Sequence, residues 1–130
     1  MLTVTENEIA KQIVDAAFRI HTSLGPGLLE SVYEAVMAQE LTRRGLHTER
    51  KQALPVVWEN VHLEAGFRVD LIVENKVIVE IKSVEAIAPV HRKQLLTYLR
   101  LANKRLGIPI NFDVDLIKDG IARVVNGLAE

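Results

Sequence analysis

Two acids and a lysine stand in a stretch that otherwise reads as buried strand. In FRVDLIVENKVIVEIKSVE, residues 67–85, one apolar run holds Asp70 and the next holds Glu80 and Lys82. Side chains alternate faces along a strand, and residues opposed across an antiparallel pair share a face. Glu80 and Lys82 therefore project together, away from Val77, Val79 and Ile81. Whether Asp70 joins them depends on the turn. A two-residue loop at Asn75-Lys76 sets Asp70 opposite Ile81, on the wrong face; a three-residue loop, Glu74 to Lys76, sets it directly opposite Glu80. Hairpin loops of that length commonly carry a residue in the left-handed region, which Asn75 tolerates, so the longer loop is predicted.

The chemistry of such a patch follows from its charges. Two carboxylates a few ångströms apart repel, and each gains a proton unless a cation lies between them. Hard oxygen donors of this kind suit Mg²⁺ or Mn²⁺. A lysine on the same face can then orient or deprotonate a water beside the cation and offset charge on a phosphate in transfer. Asp, Glu and Lys together are the makings of a phosphodiester hydrolysis site. The D-x9-E-x-K spacing also arises on ordinary solvated strand faces in a chain with 25% charged residues, so spacing alone does not separate site from surface.

The elements that must position these residues are read from changes in period. Residues 5 to 24 keep Ile9, Ile13, Ala16, Ala17, Ile20 and Leu24 on one helical face, opened by a capping box of Thr5 and Glu8. Gly25-Pro26-Gly27 breaks that helix. A second begins near Leu28, with Leu29, Val32, Tyr33 and Val36 inward, and stops near Gly45. ALPVVWEN, GFRVDLIVE and KVIVEIK are then short, β-branched and separated by turn residues, which predicts three strands with Trp58 and Phe67 in the core. Residues 90 to 106 return to helical spacing on a Leu95, Leu99, Ala102, Leu106 stripe. GIPINFDVDLI and IARVVN, split by Asp119-Gly120, close the chain as strands. The order ααβββαββ predicts an α/β fold with a mixed central sheet flanked by helices, one domain over residues 1–130.

Composition removes several classes of function. The absence of cysteine excludes disulfides and thiolate zinc sites and suits a reducing, cytoplasmic setting. No basic stretch precedes an apolar run at the N-terminus, and no segment approaches the roughly 18 apolar residues of a membrane span, so no membrane partner is expected. A formal charge of −1 supplies no general attraction to nucleic acid. Any such binding must come from a local patch or a bound cation.

The residues together resemble a known group. Asp70 and Glu80-Ile81-Lys82 on adjacent strands, preceded by a helix carrying a glutamate and followed by an amphipathic helix, look like the core of the PD-(D/E)XK nuclease superfamily. GLLESVY, residues 27–33, matches the motif that names the GxxExxY proteins, a small bacterial and archaeal family placed in that superfamily. The resemblance runs from about Glu8 to Asn126 and takes in HTSLGPGLLESVYE, VDLIVENKVIVEIKSVE, QLLTYL and INF; Val69 stands where the superfamily's name has proline. It implies a restriction-endonuclease-like fold and a Mg²⁺- or Mn²⁺-dependent nuclease acting on nucleic acid, DNA ahead of RNA. It further implies Asp70 and Glu80 as metal carboxylates, the Ile81 carbonyl as a further ligand and Glu30 as a helical carboxylate added to the metal shell. Lys82 would handle the nucleophilic water, Gln94 and Tyr98 would line the site as a QxxxY element, and Gly27 would let the helix approach the sheet closely.

The residues themselves leave some of these roles open. Amphipathicity does not select Glu30, because Glu40 lies nearer the centre of the same helix's apolar stripe; only the resemblance singles it out. Tyr33 reads as core, needing one partner for its hydroxyl. Gln94 and Tyr98, one helical turn apart, suit either a joint substrate contact or a packing pair. Lys93, Arg100 and Lys104 fall opposite the stripe of the third helix and read as a solvated face. Arg105, on the Gln94 flank, and Arg68, placed by alternation on Asp70's face, are the better phosphate candidates. The four histidines lack metal-ligand spacing and read as surface or capping residues, with His21 a candidate lining residue through the family match. Three functions follow: a metal-dependent nuclease, a non-catalytic or accessory nucleic-acid-binding module of the same fold, and an interaction protein whose Asp, Glu and Lys form a structural ion-pair network. A chain of 130 residues has little surface beyond such a site to grip a duplex, so a homodimer is expected.

Overall fold

Thr5 opens the first helix as its sequence predicts. Its hydroxyl accepts from the Glu8 N–H while the Glu8 carboxylate accepts from the Thr5 N–H. In the computed structural model, which describes residues 4–129, α1 runs Glu6–Leu24 and buries Ile9, Ile13, Ala16, Ala17 and Ile20. Leu24, expected on that face, is exposed, because the helix ends at Gly25 with a φ of 72°. α2 spans Glu30–Arg43 and turns Tyr33, Met37, Ala38 and Leu41 inward. Leu29 and Val32, expected inward, instead face solvent, Leu29 being 73% exposed, and Val36 packs only at the margin of the core. The helix is rotated relative to the apolar count because two glutamates, Glu34 and Glu40, are themselves buried on it. Hydrogen bonds from Arg43 and Arg44 compensate Glu40 and hold its carboxyl down at about 2.

The sheet has the order β1-β2-β3-β4-β5. β1 (Thr48–Trp58) and β2 (Val61–Val73) form a hairpin longer than the apolar runs predict, closed at Glu59-Asn60. β3 (Val77–Lys82) pairs antiparallel with β2. Its register, Val73 with Val77 and Leu71 with Val79, leaves the predicted three-residue loop, in which both Glu74 and Asn75 take positive φ. After α3 (Pro89–Ala102), β4 (Leu106–Asn111) returns parallel to β3, and the short β5 (Val124–Val125) closes the edge antiparallel to β4. The second closing strand is thus much shorter than IARVVN suggested; Ile121 adds one isolated bridge to Ile110.

α3 stops earlier than its apolar stripe. Asn103 takes the left-handed conformation, φ 55°, and ends the helix, so Leu106 belongs to β4 and Arg105 is not on the Gln94 flank. Its carbonyl accepts from the Asn126 N–H instead.

The two faces of the sheet bury separate clusters. α1 and α2 cover Leu71, Val73, Val77, Val79, Ile81, Ile108 and Ile110, whereas α3 covers Val69, Ile72 and Ile78 with Leu95 and Leu99. Gly107 lets α3 lie close to β4, since a Cβ there would come within 2.8 Å of the Leu95 side chain. Each such buried Leu or Ile contributes about 1.5–3 kcal/mol. Among the described residues no helix is long and apolar enough to cross a membrane.

Candidate functional site

The side of the sheet that packs under α3 is where the charged residues gather. Ladder pairing between β2 and β3 ends at Leu71 and Val79, while β3 keeps its pairing to β4 as far as Lys82 and Asn111. The two arms of the hairpin part at Asp70 and Glu80, and side chains take over from backbone. The Ile81 N–H donates to Asp70 Oδ2 at 2.7 Å, and the Asp70 N–H donates to Glu80 Oε2 at 3.2 Å.

The facing of β2 also slips at this point. Phe67 and Val69 pack with Ile72 on the α3 side, but Leu71 and Val73 lie on the other, so strict alternation fails through Asp70. Lys51, between the β1 partners of Val69 and Leu71, has a φ of 50°, an irregularity at the same level of the sheet. Arg68 therefore cannot be placed beside Asp70 by alternation, and the structure pairs it across the ladder with Ala53.

The electrostatics of the gap match its geometry. Glu80 is 8% exposed and its pKa is pushed up to about 8. Burial is the first cause, a hydrogen bond with the Asp70 carboxyl the second and repulsion from Asp70 the third; Lys82 opposes them. The two acids share a proton. Lys82, half-buried, makes no ion pair among the described residues, yet its charge reaches Glu80. That disfavours a structural ion-pair network, in which the ammonium would close on a carboxylate. Tyr98 is stacked on Phe67 at 4.7 Å, and its hydroxyl is pushed up by burial, then by the charges of Glu80 and Asp70. The hydroxyl therefore stays a neutral donor beside the pair.

Gln94 and Glu30 stand differently. Gln94 is exposed and makes no hydrogen bond among the described residues. Glu30 reaches the same end of β3, but its Oε2 accepts from the Ser83 N–H at 3.0 Å. Ser83 in turn donates through its hydroxyl to the Leu28 carbonyl. Tyr33 donates to the Gly25 carbonyl at 2.6 Å, accepts from the Leu28 N–H and stacks on Phe112 at 4.3 Å. GLLESVY is thus a clamp that fastens the loop before α2 to the segment leaving β3. Gly27 serves it through its φ of 101°; a Cβ there would touch nothing, so close approach to the sheet is not its reason.

Two residues of this clamp escape a reading of the sequence. Asn111 is buried and holds the chain after Lys82: its Oδ1 accepts from the Val84 and Asp113 N–H groups and its Nδ2 donates to the Val84 carbonyl. Ser83 is the other. A lone asparagine in the apolar run IPINF is the signal that points to the first. His21 lies off the site, its Nε2–H donating to the Val114 carbonyl at 2.7 Å, and His91 Nδ1 accepts from the Ala88 N–H at the start of α3.

The donor set fits a divalent cation. Two carboxylates hydrogen-bonded to each other, one of them forced to keep a proton by burial, are oxygen donors whose shared proton a cation would replace. No group of three His, Cys, Asp or Glu side chains is gathered among the described residues, because Glu30 is committed to Ser83. Two carboxylates suit Mg²⁺ or Mn²⁺ that retains several waters.

An α/β sheet whose hairpin opens around an acidic pair, under a helix that carries a tyrosine, defines a hydrolase-like class of site. A sequence profile of the PD-(D/E)XK nuclease superfamily matches residues 7–124, and the chain belongs to that superfamily. Among solved structures, one described as "Crystal structure of SSO0001" shares the fold with a TM-score of 0.53 at 21% identity. The match covers 95% of this chain and 59% of that one, so this chain spans well under two thirds of that protein's length. No curated protein matches the chain.

Proposed function

We propose that the chain is a Mg²⁺- or Mn²⁺-dependent nuclease that hydrolyses phosphodiester bonds of nucleic acid, with DNA the first substrate to test, and that it is a GxxExxY member of its superfamily. The observation that carries this reading is the Asp70–Glu80 pair, held in a gap of the sheet with Glu80 near 8 and with a lysine alongside that does not neutralise it. The convergence of Gly27, Glu30 and Tyr33 in one clamp supports the narrower family assignment.

Asp70, Glu80 and the Ile81 carbonyl would hold the cation. When bound, it supplies charge that stabilises phosphate oxygens and acidifies water. Lys82 positions the attacking water and donates to the phosphate as negative charge builds. Tyr98, kept protonated, donates to a non-bridging oxygen. Glu30 fixes the end of β3 through Ser83 and stands at the margin of the metal shell, while Gln94 meets the substrate strand from the exposed start of α3. The second reading, an accessory nucleic-acid-binding module, draws on the commitment of Glu30 to Ser83, which leaves the pair without a third acid.

Purified protein incubated with single- and double-stranded DNA and RNA, with Mg²⁺, Mn²⁺ or chelator, separates the two. Cleavage is expected with metal only, and Lys82→Ala is expected to lower it on the order of 10²–10³-fold with little change in stability. Cleavage unchanged by that substitution would contradict the reading; metal binding with no cleavage of any substrate would favour the accessory module.

A further inference from the structure

The β1–β2 hairpin runs well past the sheet that supports it. β3 ends at Lys82 after 6 residues, while β2 has 13, so the outer half of the hairpin stands free as an arm. Pairing of Val56 with Leu63 and of Trp58 with Val61 puts these four on one face, and alternation along β1 joins that face to Leu54. Leu54 and Phe67 already pack against the α3 cluster, so the arm continues an apolar surface that α3 covers only at its base. Beyond it, Trp58 is 70% exposed and Val61 and Leu63 are 50% and 53% exposed, which corrects the expectation of Trp58 as core. A contiguous apolar face of this kind on a soluble surface marks an interaction site.

Two features argue what covers it. β1 is the edge strand, but Pro55 lacks an N–H and Lys51 departs from extended backbone at φ 50°, so strand addition along the edge is blocked and the face is what remains to dock. Charge along the arm is polar: Lys51 and Arg68 lie at its base and Glu59 at its tip, none with an ion pair among the described residues. An antiparallel crossing with a twin arm sets each Glu59 beside the other's Lys51, whereas a parallel crossing sets like charges together. The surface is complementary to itself.

We propose that two copies of this chain associate through their β1–β2 arms, crossing about a two-fold axis with the Trp58 faces together. The inference does not depend on the nuclease reading. The face supplies the apolar centre of the contact and the Lys51 and Glu59 pairs sit at the rim, where they select orientation more than they add affinity.

Trp58 is the chain's single tryptophan, so its emission reports on the arm directly. On raising the concentration, light scattering should show twice the mass of one chain while the emission shifts to the blue. Leu63→Glu should leave circular dichroism unchanged and hold both readings at their monomer values. Lys51→Glu should weaken association several-fold, and adding Glu59→Lys should restore it. A monomer with water-exposed Trp58 emission at every concentration overturns the proposal, as does a dimer indifferent to Leu63→Glu. A monomer whose Trp58 emission responds only to single-stranded DNA overturns it in favour of a nucleic-acid surface.

Discussion

Asp70→Asn is expected to reduce metal-dependent cleavage on the order of 10³-fold while leaving the metal-free protein as stable as before, or more so, near pH 8. The two effects part because Asp70 does two things. Its oxygen accepts from the Ile81 N–H, which the asparagine carbonyl reproduces at nearly the same size. Its charge raises Glu80 and would bind the cation, and both of those are lost. Were the cluster a structural network, the same change would remove a needed charge and destabilise the fold. Urea unfolding beside a cleavage assay distinguishes the two: parallel loss of stability and activity would count against a metal site.

A second large effect is expected in stability against pH. Glu80 has a pKa near 8 in the fold against an ordinary carboxyl value of 4.5, so the fold favours its protonated form. That preference is fully present below about pH 4.5 and is lost as pH rises through about 8. The metal-free protein should therefore lose stability across this window, relative to Glu80→Gln, by an amount on the order of a few kcal/mol. Glu80→Gln, which keeps the shape and loses the charge, should flatten the curve and be the more stable chain at pH 8.5. Parallel curves for the two proteins would show that Glu80 ionises there without cost. Denaturant midpoints at half-unit pH steps supply the comparison.

The hairpin was the most legible part of the sequence because one integer, the loop length, decides which face every following residue takes, and Asn75 favours the longer loop. The slip of facing at Asp70 was not legible. It coincides with a positive φ at Lys51 on the neighbouring strand, and no rule for lysine predicts that conformation. α2 was misread for a different reason. Its inward face includes Glu34 and Glu40, and the arginines that make Glu40 tolerable there follow it in the chain, so an apolar count rotated the helix toward Leu29 and Val32. In α3, Leu106 extended the stripe by coincidence, since Asn103 ends the helix and the leucine serves β4. Among the site residues, Glu80 and Lys82 followed from parity alone. Glu30 was reached only through family resemblance, and its bond to Ser83 needs a tertiary contact across 53 positions of sequence.

Calorimetric titration of Mn²⁺ into the metal-free protein at pH 7.5, in two buffers of different ionisation enthalpy, tests the acidic pair most directly. Saturable binding is predicted, with release of close to one proton as the cation replaces the one shared by Asp70 and Glu80, and with the binding lost in Asp70→Asn. Binding of equal strength in Asp70→Asn, or heats that do not depend on the buffer, would place the cation elsewhere and contradict the account.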